Sequence, residues 1–253
     1  MLSKNKLKLI RSLAQKKYRE ESGLFLAEGP KLVDELLARF ECVLLCGTRD
    51  YLASHSTQGA QEVVEVSDDE LARASQLKTP HEVLALFLRP AMLDVDTALR
   101  AIESGLCLAL DGVQDPGNVG TIIRIADWFG IEHVFCSPET ADCFAPKTVQ
   151  ATMGALARVQ LHYTDLPRLL DRLAPQTPVF ATTLDGDNCY AADLPPTGLI
   201  VMGNEGQGVS QAVLARVNRR LFIPNFPTER PTSESLNVAI ATALICGEFR
   251  RRM

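Results

Sequence analysis

Three polar clusters in this 253-residue chain carry residue types suited to binding and acting on a ligand. The first is LDGVQDPGNVGTIIRIADWFG, Leu110 to Gly130, which contains Asn118 and Arg124. A buried-strand pattern ends there in Asp111, passes through a Pro-Gly-Asn turn and enters an amphipathic helix. That order sets polar side chains at the carboxyl end of a strand, where open α/β sheets bind ligands. The second is LIVMGNEGQGVS, Leu199 to Ser210, an apolar run ending in Gly203, Gly206 and Gly208 around Asn204, Glu205 and Gln207. Glycines at a strand end let backbone groups approach a ligand closely. Their order is not the dinucleotide fingerprint, which needs GxGxxG ahead of a helix. The third is FIPNFPTERPTSESLN, Phe222 to Asn237, where a strand stops at Pro224, a Pro-rich loop follows, and Ser235 and Asn237 open a helix. Each cluster alone also has a structural reading. Glycines are common in turns, Ser235 can cap a helix, and Asn237 can satisfy buried backbone. The case for function is their coincidence at one edge of one sheet.

The elements that must position these clusters follow from the apolar pattern. From Gly105 onward, strand candidates LCLALD, HVFCS, VQLHY, VFATT, LIVMGN and RLFIPN alternate with helices at 119–129, 147–155, 166–173 and 210–217. Strands separated by helices imply a parallel sheet covered on both faces. The last helix, from about Ser235 to Arg251, is apolar almost all round its first three turns and must be buried, by the sheet on one side and a partner subunit on the other. The first part reads as a smaller α/β unit: a helix over 4–21 stopped by Gly23, strand GLFLAEG, a helix over 30–40, strand CVLLCG, strand and helix in QEVVEVSDDELARAS, and strand HEVLALFLRP. The division is therefore residues 1–90, a linker over 91–105, and residues 106–253.

Composition narrows the class. A hydrophobic share of 46% with 23% charged residues is that of a soluble globular protein, and no apolar run is long enough for a membrane span or signal peptide, which makes the expected location the cytoplasm. Seven cysteines without CxxC spacing read as reduced, buried thiols, and four scattered histidines offer no ligand spacing, so no metal is expected. The net charge of −5 hides an uneven distribution. Residues 1–19 hold Lys4, Lys6, Lys8, Arg11, Lys16, Lys17 and Arg19 without an acid, and the chain ends in Arg250, Arg251 and Arg252. These are either solvated helix faces or a phosphate-contacting arm.

LDGVQDPGNVGTIIRIADWFG, VMGNEGQGVS and IP…SLNVAIATAL resemble the three ordered motifs of the SpoU (TrmH-like) family of RNA ribose 2′-O-methyltransferases, in the SPOUT superfamily. The resemblance covers about residues 106–250. KKYREESGLFLAEGPKLVDELL and KTPHEVLALF are similar, more loosely, to that family's N-terminal L30-like substrate-binding module. The resemblance implies a SPOUT domain with a deep trefoil knot, a topology that composition and periodicity do not show and that the ordinary rule against threading would exclude. It implies S-adenosylmethionine as cofactor, held by Gly203, Ile223 and Leu236, with Met202, Pro224 and Val238 as adjacent candidates. It implies that Arg124 acts as general base or as a phosphate-holding electrostatic group, and that Asn118, Glu205, Ser235 and Asn237 complete the site. Glu205 could pair with Arg124 or hold the glycine-rich loop. The expected activity is methyl transfer to a ribose 2′-hydroxyl of ribosomal RNA, by a homodimer formed through the knotted domain. Alternatives are a tRNA 2′-O-methyltransferase and a non-catalytic RNA-binding ribosome-assembly protein of the same fold. The third motif departs from the family in its longer, glycine-free loop over 225–234, which bears on cofactor and substrate binding.

Overall fold

A computed structural model of the chain describes residues 1–91, 94–227 and 235–251. The chain forms two compact units, one of residues 1–91 with 142–157, the other of 92–141 with 158–253.

In the first unit, α1 (Lys4–Ser12) and α2 (Lys16–Ser22) replace the single helix expected over 4–21. The apolar spacing runs up to the break, where Ile10 and Leu13 are both fully buried, each contributing about 2 kcal/mol. The break lets Arg19 turn inward, where it is 3% exposed, donates to the Leu13 carbonyl at 2.6 Å and pairs with Asp142 at 2.7 Å. Gly23, at φ +67°, ends α2 in the left-handed conformation that only glycine adopts freely. The strands β1 (Leu24–Glu28), β2 (Cys42–Gly47), β3 (Val63–Glu65) and β4 (Val83–Leu88) form a mixed sheet in the order β1-β4-β2-β3. The connecting helices are α3 (Pro30–Leu37), α4 (Arg49–Ser54) and α5 (Asp68–Ala74), the last fixed by a Ser67/Glu70 capping box. One core packs Ile10, Leu13, Leu71 and Ala74 onto Leu26, Leu44, Leu84 and Leu86. Phe25 meets Phe40, Phe87 and Phe144 in a separate aromatic cluster. Phe144 belongs to the stretch 142–157, which contains α8 (Pro146–Thr152), so this segment packs with the first unit although the sequence division assigned it to 106–253.

In the second unit, α6 (Val95–Ser104) occupies most of the expected linker. Asp94 caps it, and Ala98 and Ile102 sit in the core, so it is part of the domain. The six strands β5 (Leu106–Asp111), β6 (His133–Cys136), β7 (Gln160–Tyr163), β8 (Val179–Asn188), β9 (Gly198–Gly203) and β10 (Arg219–Phe222) are all parallel, in the order β10-β8-β9-β5-β6-β7. Because side chains alternate across a strand, Cys107, Ala109, Val179, Ala181, Leu199 and Val201 all face one side. There they pack under α6, α9 (Leu166–Leu170) and α10 (Gln211–Leu214). The intervening Phe180 faces the other side and meets Phe249 of α11 (Val238–Arg251) edge-on at 5.2 Å. On that side α11 packs along α7 (Pro116–Trp128).

The final helix is half covered. Val238, Thr242, Ile245, Cys246 and Phe249 are buried, while Ile240 is 55% and Leu244 39% exposed. All seven cysteines are buried and none is in a disulfide. Burial raises the thiol pKa of Cys46, Cys107 and Cys246 to about 12, which keeps them protonated. The histidines His133 and His162, 29 residues apart, meet because Phe135 pairs with His162 across β6 and β7. Their rings approach at 3.2 Å between Nδ1 and Nε2. Among the described residues no group of three or more His, Cys, Asp or Glu is arranged to hold a metal, and no helix is long and apolar enough to cross a membrane.

Candidate functional site

The site sits at the carboxyl ends of β5 and β9, whose last residues, Asp111 and Gly203, are register partners. The chain leaving β5 enters α7 on one face of the sheet. The chain leaving β9 enters α10 on the other. The two loops therefore diverge and leave a crevice between them, the topological switch point of a parallel sheet.

The first cluster is held by its own turn. Asp115 caps α7 by accepting from the Asn118 backbone N–H at 2.9 Å, and Pro116 takes the first helical position, where its missing donor costs nothing. Gly112 adopts φ +73° to start the turn. The second cluster locks onto the first. Asn204 donates from its amide to the Gly112 carbonyl at 2.7 Å, and its Oδ1 accepts from the N–H groups of Gly206 and Gln207. Asp111 accepts from the Ser210 N–H at 2.7 Å. Gly203 is obligatory for a steric reason: a Cβ there would lie 2.2 Å from the Gly208 carbonyl carbon and 2.3 Å from the Val209 nitrogen.

Glu205 does not pair with Arg124. Its carboxylate accepts from the N–H groups of Gln114 and Asp115 and from the Asn118 side-chain amide at 3.0 Å. Partial burial raises its pKa, but these donors outweigh it and the net shift is downward, so Glu205 stays ionised. Asn118 in turn accepts from the Asn237 amide at 3.0 Å, while Asn237 Oδ1 accepts from the Ala239 and Ile240 N–H groups and so caps α11. Only one orientation of the two amides fits this chain. An ionised carboxylate can only accept, which turns the Asn118 NH2 toward Glu205, its oxygen toward Asn237, and the Asn237 oxygen toward the helix. The three clusters are thus joined through Glu205, Asn118 and Asn237. Ser235 is exposed outside the helix and is not its cap; among the described residues it makes no hydrogen bond.

Arg124 stands apart. It is exposed, about 9 Å along α7 from Asn118 and about 120° round it. Among the described residues of the second unit it is the one arginine without a hydrogen bond or ion pair. Arg158 is paired with Asp127, Arg172 with Asp96, Arg216 with Asp171, Arg219 with Asp187 and Arg220 with Asp185. The terminal arginines are engaged as well: Arg250 donates to the Phe129 and Gly130 carbonyls at the end of α7, and Arg251 pairs with Glu248. Of the basic tail, Arg252 lies outside the described residues. That unit also contains no lysine, so Arg124 is a free cation on an acidic body.

Of the remaining candidates, Met202 is buried in β9, and Ile223 and Pro224 follow β10 half-buried. Leu236 is 49% exposed just before α11, and Val238 is its first residue and buried. Among the described residues the main-chain groups of Ile223 and Leu236 make no hydrogen bond, so they are open to a ligand. The loop residues 228–234 lie outside the described residues. Sequence reasoning missed the clamping role of Asn204; the signal was present, because an asparagine two residues before a glycine readily bonds its own turn. It also missed Thr183, midway along β8, whose buried hydroxyl oxygen has no partner among the described residues.

A parallel sheet whose switch point carries an interlocked amide–carboxylate cluster and a glycine-rich turn has the form of a ligand-binding α/β domain. The chain belongs to the SpoU rRNA methylase family, whose model matches residues 105–247, and residues 4–85 match an MRM3-like substrate binding domain. It is 32% identical to the 23S rRNA (guanosine(2553)-2′-O)-methyltransferase RlmP of Bacillus subtilis, over 97% of this chain and 96% of that protein. A TrmH-family structure from Porphyromonas gingivalis superposes with a TM-score of 0.90 and 45% identity over 100% of both chains. An AdoMet-bound rRNA methyltransferase from Sinorhizobium meliloti superposes with a TM-score of 0.84 and 30% identity, over 100% of this chain and 97% of that one.

Proposed function

We propose that this protein is a cytoplasmic S-adenosylmethionine-dependent methyltransferase acting on a ribose 2′-hydroxyl of ribosomal RNA, with residues 1–90 serving as its RNA-binding part. The observation that carries the reading is Arg124: a solvent-facing cation on the helix that begins at the site, left unpaired where every other described arginine of the unit is engaged. The residues at the crevice fit the cofactor. Gly203 and Gly208 bring backbone close, Ile223 and Leu236 offer free main-chain groups, and the orphaned Thr183 hydroxyl lacks a partner. Met202, Pro224 and Val238 flank these contacts.

When bound, S-adenosylmethionine supplies an electrophilic methyl group on a sulfonium sulfur. Transfer to the ribose oxygen would leave a neutral thioether behind, and the hydroxyl proton would pass to bulk water. A guanidinium does not give up its proton in proteins, so Arg124 holds the target phosphate and stabilises the developing alkoxide rather than acting as base. Asn118, Glu205 and Asn237 keep the three loops in register, and Ser235 is free to contact the substrate. A second copy covers the exposed Trp128, Ile240 and Leu244 along α7 and α11, which makes the enzyme a homodimer and takes Arg124 to the partner's crevice. The further expectation of a trefoil knot belongs to this reading. The test is a pH–rate profile of wild type and Arg124→Lys. Electrostatic action predicts a reduced rate with the same ionisation; an ionisation that disappears in the variant would assign the base role to Arg124.

A further inference from the structure

The basic N-terminal run is resolved by the structure into paired and unpaired cations. Lys6 pairs with Glu62, Lys16 with Glu20 and Lys17 with Glu21, while Arg19 is consumed in the buried Asp142 pair. Lys4, Lys8 and Arg11 remain: all three are exposed on α1 and make no ion pair among the described residues. Their spacing of four and three residues puts them within about 60° of arc on the helix. That stripe is opposite the side on which Ile10 and Leu13 enter the core. Along the axis it spans about 10 Å, room for on the order of three phosphates of one strand.

We propose that Lys4, Lys8 and Arg11 form a phosphate-contacting stripe that docks the backbone of the RNA substrate. The proposal rests on the RNA-methyltransferase reading above and adds the surface by which the first unit holds its substrate. Three unpaired like charges held on one rigid helix repel each other when nothing is bound, so a polyanion is the partner that relieves them. The charge distribution of the chain points the same way. Every lysine lies in the first unit, whose 14 basic and 14 acidic residues balance, while the second sets 12 arginines against 17 acids for a formal net charge of −5, so the first unit is the one that repels RNA less. Backbone contacts of this kind position an RNA without reading its sequence.

The experiment measures binding of a 23S rRNA fragment to the full chain as a function of salt, for wild type, for Lys4→Gln/Lys8→Gln/Arg11→Gln, and for the control Lys16→Gln/Lys17→Gln. Each lost phosphate contact lowers the slope of log K against log[salt] by about 0.7–0.9. The stripe variant is therefore expected to lose about two to three from the slope, with KM for RNA raised and S-adenosylmethionine affinity unchanged. The control, whose lysines are already matched by glutamates, is expected to stay near wild type. A stripe variant with the wild-type slope overturns the proposal, as does an equal drop in both variants, which would mean that net charge alone matters. Wild-type protein that binds no RNA would instead overturn the functional reading on which the proposal rests.

Discussion

Gly203→Ala tests whether the β9 turn is set by sterics that the site depends on. The new Cβ would sit 2.2 Å from the Gly208 carbonyl carbon and 2.3 Å from the Val209 nitrogen, more than 1 Å inside ordinary contact. Both neighbours are backbone, so no rotamer change relieves the clash and the turn must open. Overpacking costs about 1–3 kcal/mol. Opening also breaks the reciprocal Asn204–Gly208 backbone pair at 3.0 and 2.9 Å, each bond contributing about 1 kcal/mol. The expected loss is about 3 kcal/mol or more, with cofactor binding abolished because the Asn204 and Glu205 clamps go with the turn. Two neighbours supply the scale. A Cβ on Gly206 would meet only Asn204 Oδ1 at 3.7 Å, so Gly206→Ala should stay within about 0.5 kcal/mol of wild type. Gly208 has open space but φ +71°, so Gly208→Ala should cost about 1–2 kcal/mol. Urea unfolding midpoints at constant m-value and calorimetric titration with S-adenosylmethionine measure both effects. If Gly203→Ala loses no more stability or affinity than Gly206→Ala, the steric reasoning fails.

Arg19→Ala leaves Asp142 buried and unpaired and should destabilise the first unit by about 3–5 kcal/mol, seen as an early transition in denaturant; a cost below 1 kcal/mol would show the pair to be dispensable. Burial lowers the His162 pKa to about 4 and also lowers that of His133, so the unfolded chain binds more protons than the folded one below pH 6.5. This contribution is complete above pH 6.5 and falls by about 3 kcal/mol as pH drops toward 4; His162→Phe should flatten that slope, and an unchanged slope would contradict the assignment. Trp128, the single tryptophan, is 85% exposed in one chain, so if α7 and α11 form the dimer face its emission should shift to the blue at concentrations where the dimer forms. Emission independent of concentration, alongside a dimer detected by sedimentation, would place the interface elsewhere.

The strands of the second unit were legible because a parallel sheet buried on both faces writes itself as uninterrupted apolar runs such as LCLALD and LIVMGN. Position at strand ends was enough to single out Asn118, Glu205 and Asn237, but not to say that they bond to one another, since partners 87 and 119 residues apart leave no local mark. The same limit hid the Arg19–Asp142 pair and the packing of residues 142–157 with the first unit. Local amphipathicity says that a helix has an apolar face, not which core receives it. The break between α1 and α2 was masked because Leu7, Ile10 and Leu13 keep helical spacing right up to it and neither glycine nor proline marks residues 13–15. Helix α6 was readable from Asp94 as a cap and Ala98, Leu99 and Ile102 at helical spacing, and was underestimated as a turn or two of a linker because it follows the strand-ending Pro90. The free state of Arg124 depends on where every other acid lies, which only the fold reveals.

The central claim is methyl transfer to ribose in ribosomal RNA. Its most direct test is transfer of tritiated methyl from S-adenosylmethionine to total RNA from a strain lacking this protein, followed by ribose-methylation mapping. The account predicts incorporation at a 2′-hydroxyl of ribosomal RNA, lost in Arg124→Ala while the cofactor still binds. Cofactor binding by the wild type with no transfer to any RNA, or a mark restored in tRNA and not in rRNA, would contradict it.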